Sequence, residues 1–222
     1  MHVCMQAMPP WAAAASPGLI RDSGSTHFYD YDIDNPIVRP IFSAILNAVI
    51  PPILRTGVLL SVSLANEPGF NAANSSYTLR NFQACLRTQY ATIAALNAAW
   101  SSNFTGFDDA SLVQAMGYHA YSGEQQLVWN TFNRNRVTAF YRFLTDTIHA
   151  AAASINRTAR VHIKTSNGNA PLGAHHTDGI DREALAQFLD VHGCDSRALP
   201  VSKPHLPFPQ HVDGTLLARV PF

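Results

Sequence analysis

Apolar and polar positions along this chain alternate between two kinds of spacing. Residues 1–8 form a short apolar, Met-rich run stopped by Pro9-Pro10-Trp11, which predicts a buried strand. Residues 12–33 read as loop, with Pro17-Gly18, Ser23-Gly24 and an aromatic-acidic stretch from His27 to Ile33. A helix start follows. Asp34 or Asn35 is placed to cap, and Pro36 falls at a first helical position where its missing N–H costs nothing. Ile41, Phe42, Ile45, Leu46, Val49 and Ile50 then draw one apolar helical stripe, which Pro51-Pro52 is expected to end. Gly57 to Leu64 is nearly continuous in apolar residues, as in a strand buried on both faces of a parallel sheet, and it runs into Ala65-Asn66-Glu67-Pro68-Gly69. From Ser75 a helical period carries Leu79, Phe82, Leu86, Tyr90, Ile93 and Leu96 to Trp100. Beyond a loop and short helix at 101–124, the pattern predicts a long helix over roughly 125–154 and a strand at 160–164. A polar loop at 166–179, a helix capped by Asp181 and running to Phe188, and a strand at 191–195 complete it.

Strands alternating with helices point to an α/β fold with a parallel sheet. Residues 1–199 are expected to form one unit. Residues 200–222, with four prolines after Pro200 and no clear periodicity, are expected to be an irregular C-terminal tail. Hydrophobic residues make up 47% of the chain, enough for a sizeable core. Charged residues are only 14%, and the formal net charge is zero, which argues against nucleic acid as a partner. No apolar run approaches the ~18–20 residues of a membrane span, so no membrane partner is expected. The N-terminus lacks a basic region followed by an apolar one, so no signal peptide is read there and the compartment stays open. Cys4, Cys85 and Cys194 are odd in number, far apart and form no CxxC pair, which suits buried thiols in a reducing compartment better than a disulfide framework.

The candidate chemistry sits at Asn66-Glu67-Pro68. It follows a buried strand, and active sites of parallel α/β folds gather at the carboxyl ends of strands. A carboxylic acid there is suited to protonate a leaving oxygen if burial disfavours its charged form, and the Asn amide can hydrogen-bond a sugar hydroxyl. Three letters alone are a weak signal, but the strand before them and the helix after them raise it.

The stretch SLANEPGF, followed by NFQACLRTQYATIAALNAAW, resembles the region after the fourth barrel strand in clan A retaining glycoside hydrolases. It is most similar to the family 42 β-galactosidase type. Phe82, Leu86, Tyr90, Ile93, Leu96, Asn97 and Trp100 match that family's helix pattern, while Cys85 stands where a Trp is usual. MHVCMQAMPPWA and YDIDNPIVRPIFSAILNAVI resemble the third strand and the helix leading to the fourth. The resemblance implies a partial (β/α)₈ TIM barrel, strands three to six, acting on a β-linked carbohydrate. It implies that Glu67 is the general acid/base and that Asn66 contacts the 2-hydroxyl beside the scissile bond. It also implies a second carboxylate, the nucleophile, on a Glu ending the seventh strand. The chain has only three Glu, and neither Glu124 nor Glu183 follows a predicted strand, so that nucleophile is not found here.

Trp11, Tyr29 and Tyr31 are placed to line a sugar cleft, with core cover as the ordinary alternative. Lys164 and Asn167 follow the fifth strand, within reach of a bound sugar, though a surface role is the better expectation. His175-His176 with Asp178 lacks convincing ligand spacing and is read as solvated, so neither metal nor cofactor is expected. Two rivals to a glycosidase stand. One is a catalytically inactive remnant that binds sugar or a protein partner. The other is an interaction module that pairs exposed barrel edges with another half-barrel.

Overall fold

In a computed structural model of the chain, the described residues are 2–4, 8–15, 19, 31–70, 75–109, 112, 123–165, 179–194 and 217–218. The strands are β1 (His2–Cys4), β2 (Ser61–Asn66), β3 (Val161–Thr165), β4 (Val191–Cys194) and β5 (Leu217–Ala218). They form one sheet in the order β1-β2-β3-β4-β5. β1 to β4 pair in parallel, and β5 lies antiparallel against β4. Sequential parallel strands joined by helical crossovers are the repeating unit of a (β/α)₈ barrel, and this chain is a partial one.

Among the described residues six helices accompany the strands: α1 (Pro10–Ala15), α2 (Val38–Arg55), α3 (Ser76–Gln89), α4 (Ile93–Trp100), α5 (Glu124–Ala153) and α6 (Arg182–Ala186). The main core lies between the sheet and α2 and α5. Val62, Leu64, Val161 and Ile163 point to that side and meet Phe42, Leu46 and Ile50 from α2 and Phe140, Leu144 and Ile148 from α5. On β3 the alternation is clean: Val161, Ile163 and Thr165 are buried, while His162 and Lys164, on the opposite face, are half-buried. A second cluster packs Phe82 and Leu86 of α3, Leu96 and Trp100 of α4, and Val128, Trp129 and Phe132 of α5.

The structure departs from the sequence expectations in several places. Pro51 and Pro52 do not end α2 but lie inside it. The carbonyls left without their N–H partners belong to Asn47 and Ala48, which are exposed and open to water, and Leu54 beyond the prolines packs on the core. At 18 residues α2 is also long and apolar enough to cross a membrane by length and composition, contrary to expectation. Here its stripe of Val38, Phe42, Leu46 and Ile50 is docked into the core.

The expected cap comes earlier than the helix itself: Asn35 Oδ1 accepts from Ile37 N (3.1 Å), and α2 starts at Val38. The Ala-rich run after Trp11 is helix, not loop, as high alanine propensity favours. The segment from Ser75 to Trp100 is two helices. Ser75 caps the first and Thr92 the second, with Tyr90 extended between them. The apolar period continued across this break, which hid it. Within 200–222, Leu217 and Ala218 pair with β4.

Candidate active site

β2 delivers the candidate residues through an irregularity in its ladder. Val62 pairs with Val161 and Ser63 with His162, but Asn66, not Ala65, lies opposite Lys164. One extra residue has been taken up between Ser63 and Asn66. Directly paired residues point to the same face of a sheet, so this bulge turns Asn66 to the side of His162 and Lys164, away from the helices. Without it, Ala65 would occupy that place.

Glu67 then leaves the strand. Its φ of 52° lies in the left-handed region, which a residue with a Cβ adopts at a cost of about 1–2 kcal/mol. Such strain persists only where surroundings impose it, and it concentrates at functional sites. Two contacts with β3 hold the residue. Its N–H donates to the Lys164 carbonyl (2.7 Å), and its Oε1 lies 3.6 Å from Lys164 Nζ. The Glu67 side chain is 29% exposed, so it is reachable from solvent at the carboxyl end of the sheet. Lys164, expected to have a surface role, is therefore the described cation in contact with the candidate acid.

The turn beyond Glu67 is fixed from below. Pro68 and Gly69 are buried, and the Phe70 ring is enclosed in the main core, in edge contact with Tyr141. The Phe70 carbonyl accepts from Asn133 Nδ2 (2.8 Å) and Arg136 Nη2 (3.3 Å), both on α5. Arg136 also donates from Nε to Asn133 Oδ1 (2.8 Å) and pairs through Nη1 with Asp34 Oδ2 (2.5 Å). Asp34 accepts as well from Thr78 Oγ1 (2.6 Å) and Asn81 Nδ2 (3.2 Å) of α3. Next to it Asp32 accepts from Ser75 Oγ and from the Asp34 N–H. Gly179 presses on this cluster: a Cβ there would come within 2.9 Å of Asn133 Nδ2. Sequence reading missed these residues, apart from Asp34 as a possible cap. Asn133 and Arg136 sit in a long helix whose pattern gave no reason to single out two polar positions.

The other expected site residues are dispersed. Trp11, on α1 just after β1, is 62% exposed and free to meet a ligand. Tyr31 is fully buried, with Phe42 at 5.0 Å and Phe140 at 6.0 Å between ring centroids. A ring enclosed in this way has no face to offer a sugar, so Tyr31 is a core residue and not a binding one. Glu124 accepts from Tyr90 Oη (2.9 Å), which also accepts from Trp100 Nε1 (3.0 Å), so Glu124 belongs to the second cluster. Burial and this Glu124 contact push the Tyr90 hydroxyl above its ordinary range. Glu183 lies in the first turn of α6. Tyr29, Asn167, His175, His176 and Asp178 fall outside the described residues. Among the described residues no group of three or more His, Cys, Asp or Glu could hold a metal ion.

A parallel run of strands backed by helices, with an acid at a strand's carboxyl end, is the layout of a barrel-type hydrolase. The chain belongs to the Glyco_hydro_42 beta-galactosidase family, whose model matches residues 4–207. Among solved structures it is similar to an exo-carrageenase GH42 from Bacteroides ovatus, at 24% identity and TM-score 0.66, covering 87% of this chain and 27% of that one. It is also similar to a β-galactosidase from Rahnella sp. R3, at 17% identity and TM-score 0.67, over 91% of this chain and 30% of that one. A β-galactosidase from the psychrophilic Marinomonas ef1 gives 18% identity and TM-score 0.65, over 86% of this chain and 29% of that one. At these identities the likeness concerns the fold. The chain spans less than a third of the length of these structures. A search of curated proteins finds no match.

Proposed function

We propose that this chain contributes the acid/base half of a retaining β-galactosidase-type site, with Glu67 donating a proton to the glycosidic oxygen and later withdrawing one from water. The observation that carries this reading is the placement of Glu67 at the carboxyl end of β2, half-buried, strained and tethered to β3. Family membership supports a β-linked carbohydrate as substrate. Asn66, turned to the face of Lys164 by the bulge, is proposed to bond the hydroxyl next to the scissile bond. Exposed Trp11 is proposed to stack on the sugar. Residues 1–199 are proposed as the barrel unit.

Retention of configuration needs a second carboxylate about 5–5.5 Å from the first. Glu124 and Glu183 are committed elsewhere, so another carboxylate must complete the site. That favours a second reading for these 222 residues by themselves, in which they bind sugar or a partner without turning it over. Two tests address the two readings. Glu67→Gln should cut hydrolysis of an alkyl β-galactoside by roughly 10²–10⁴-fold in a polypeptide that includes the second carboxylate. Calorimetry of the 222-residue chain with galactose should detect binding. Unchanged hydrolysis in the variant removes Glu67 from the reaction.

A further inference from the structure

We infer that Asn133 and Arg136 of α5 are positioning residues for Glu67: they grip the Phe70 carbonyl and thereby hold the turn that forces Glu67 out of β2. The geometry is specific. Glu67 and Phe70 are separated by two buried residues, Pro68 and Gly69, so the turn has little slack. One end is fixed by the Glu67 N–H on the Lys164 carbonyl. The other is fixed by two side-chain donors converging on one carbonyl oxygen. A left-handed Glu67 relaxes unless both ends are held.

Arg136 is itself immobilised. Its side chain is 8% exposed, that of its partner Asp34 is 6% exposed, and Asp34 is shared with Thr78 and Asn81. The loop before α2, the start of α3 and the middle of α5 thus meet at one buried carboxylate, which holds the Arg136 side chain beside the turn. A pair buried this deeply is weak evidence for stability as such, because desolvation offsets much of the attraction. Its use here is to define one conformation. Asn133 adds the direct contact, and its Oδ1 keeps the Arg136 fork in plane.

The catalytic meaning rests on Glu67 being the proton donor, but the positioning is measurable without turnover. Amide hydrogen exchange at Glu67 reads the turn locally, because its N–H donates across to β3. Asn133→Asp keeps the size and the acceptor for Arg136 but sets oxygen against the Phe70 carbonyl. Arg136→Lys keeps the charge but loses the fork. Thr78→Ala loosens the same cluster without touching Phe70.

In Asn133→Asp and Arg136→Lys the Glu67 amide should exchange roughly tenfold faster or more, while Val62 and Ile163 stay close to the parent chain. Thr78→Ala should leave the Glu67 amide in step with the core. Should Asn133→Asp fail to fold, Arg136→Lys against Thr78→Ala decides. The inference is overturned if Glu67 exchange does not rise relative to the core, or if Thr78→Ala raises it equally. Loss of the glycosidase reading, through unchanged hydrolysis in Glu67→Gln, would leave this exchange result standing, so the two failures are distinguishable.

Discussion

The two faces of the β2–β3 sheet obey different rules. The helix-backed face presents Val62, Leu64, Val161 and Ile163 to α2 and α5, and its stability is a matter of apolar area and close packing. The opposite face presents Ser61, Ser63, His162 and Lys164, and at its carboxyl end Asn66. A closed barrel usually fills that interior with branched aliphatic side chains. Here the inward positions are small or polar, and the end of the strand carries a bulge and a left-handed residue. One face secures the fold. The other gives up regularity at the end of β2, where the proposed site lies.

That contrast can be broken from either side. The largest stability loss is expected behind the sheet. Phe140→Ala removes a fully buried ring that touches Tyr31, Phe42 and Tyr141, and it should destabilise by about 3–5 kcal/mol in urea unfolding. A loss below 1 kcal/mol would mean that the core is not packed as described. Gly179→Ala comes next, at about 1–3 kcal/mol, because its φ is +80° and a Cβ would meet both Asn133 and Val137 at 2.9 Å. Thermal melts would check it, and a neutral result would show that the loop has room to move.

At Glu67 the sign should reverse. Glu67→Gly relieves the left-handed strain and gives up a partly exposed ion pair, so stability should hold or rise by up to about 1 kcal/mol. A clear loss of stability would mean that Glu67 serves the fold, and the two faces would no longer differ.

The smallest effect concerns the second cluster. Tyr90 binds its proton more tightly in the folded chain than an ordinary tyrosine does, through burial first and Glu124 second. A group with its pKa raised on folding contributes stability that is complete below the ordinary tyrosine range, near pH 10, and is lost as pH rises through the folded value. Alkaline denaturation should therefore steepen above about pH 10 in the parent chain and less so in Tyr90→Phe. Equal alkaline limbs would remove Tyr90 from this account.

The helix-backed face was legible because burial writes periodicity into sequence. The α2 stripe and the long α5 follow from spacing alone, the strand into Glu67 follows in part, since it starts at Ser61 and leaves Val58 and Leu60 exposed, and a resemblance in motif supplied the barrel. Boundaries were less legible. Pro51 and Pro52 are tolerated because solvent serves the orphaned carbonyls, and the α3–α4 break falls where the apolar period continues. Tyr31 is not decided by sequence, because an aromatic in a polar stretch looks the same whether it faces a cleft or a core. The bulge, the Lys164 tether and the Asp34–Arg136–Asn133 cluster depend on residues up to 102 positions apart, and no local pattern records such contacts.

Glu67 is proposed to give a proton to the departing oxygen. The most direct test of this proposal compares two substrates in Glu67→Gln, within a polypeptide that completes the carboxylate pair. An alkyl galactoside, whose leaving group needs protonation, should lose roughly 10²–10⁴-fold in rate, while a dinitrophenyl galactoside, whose leaving group departs unaided, should retain most of its rate for bond cleavage. Equal losses for both substrates, or none for either, would contradict it.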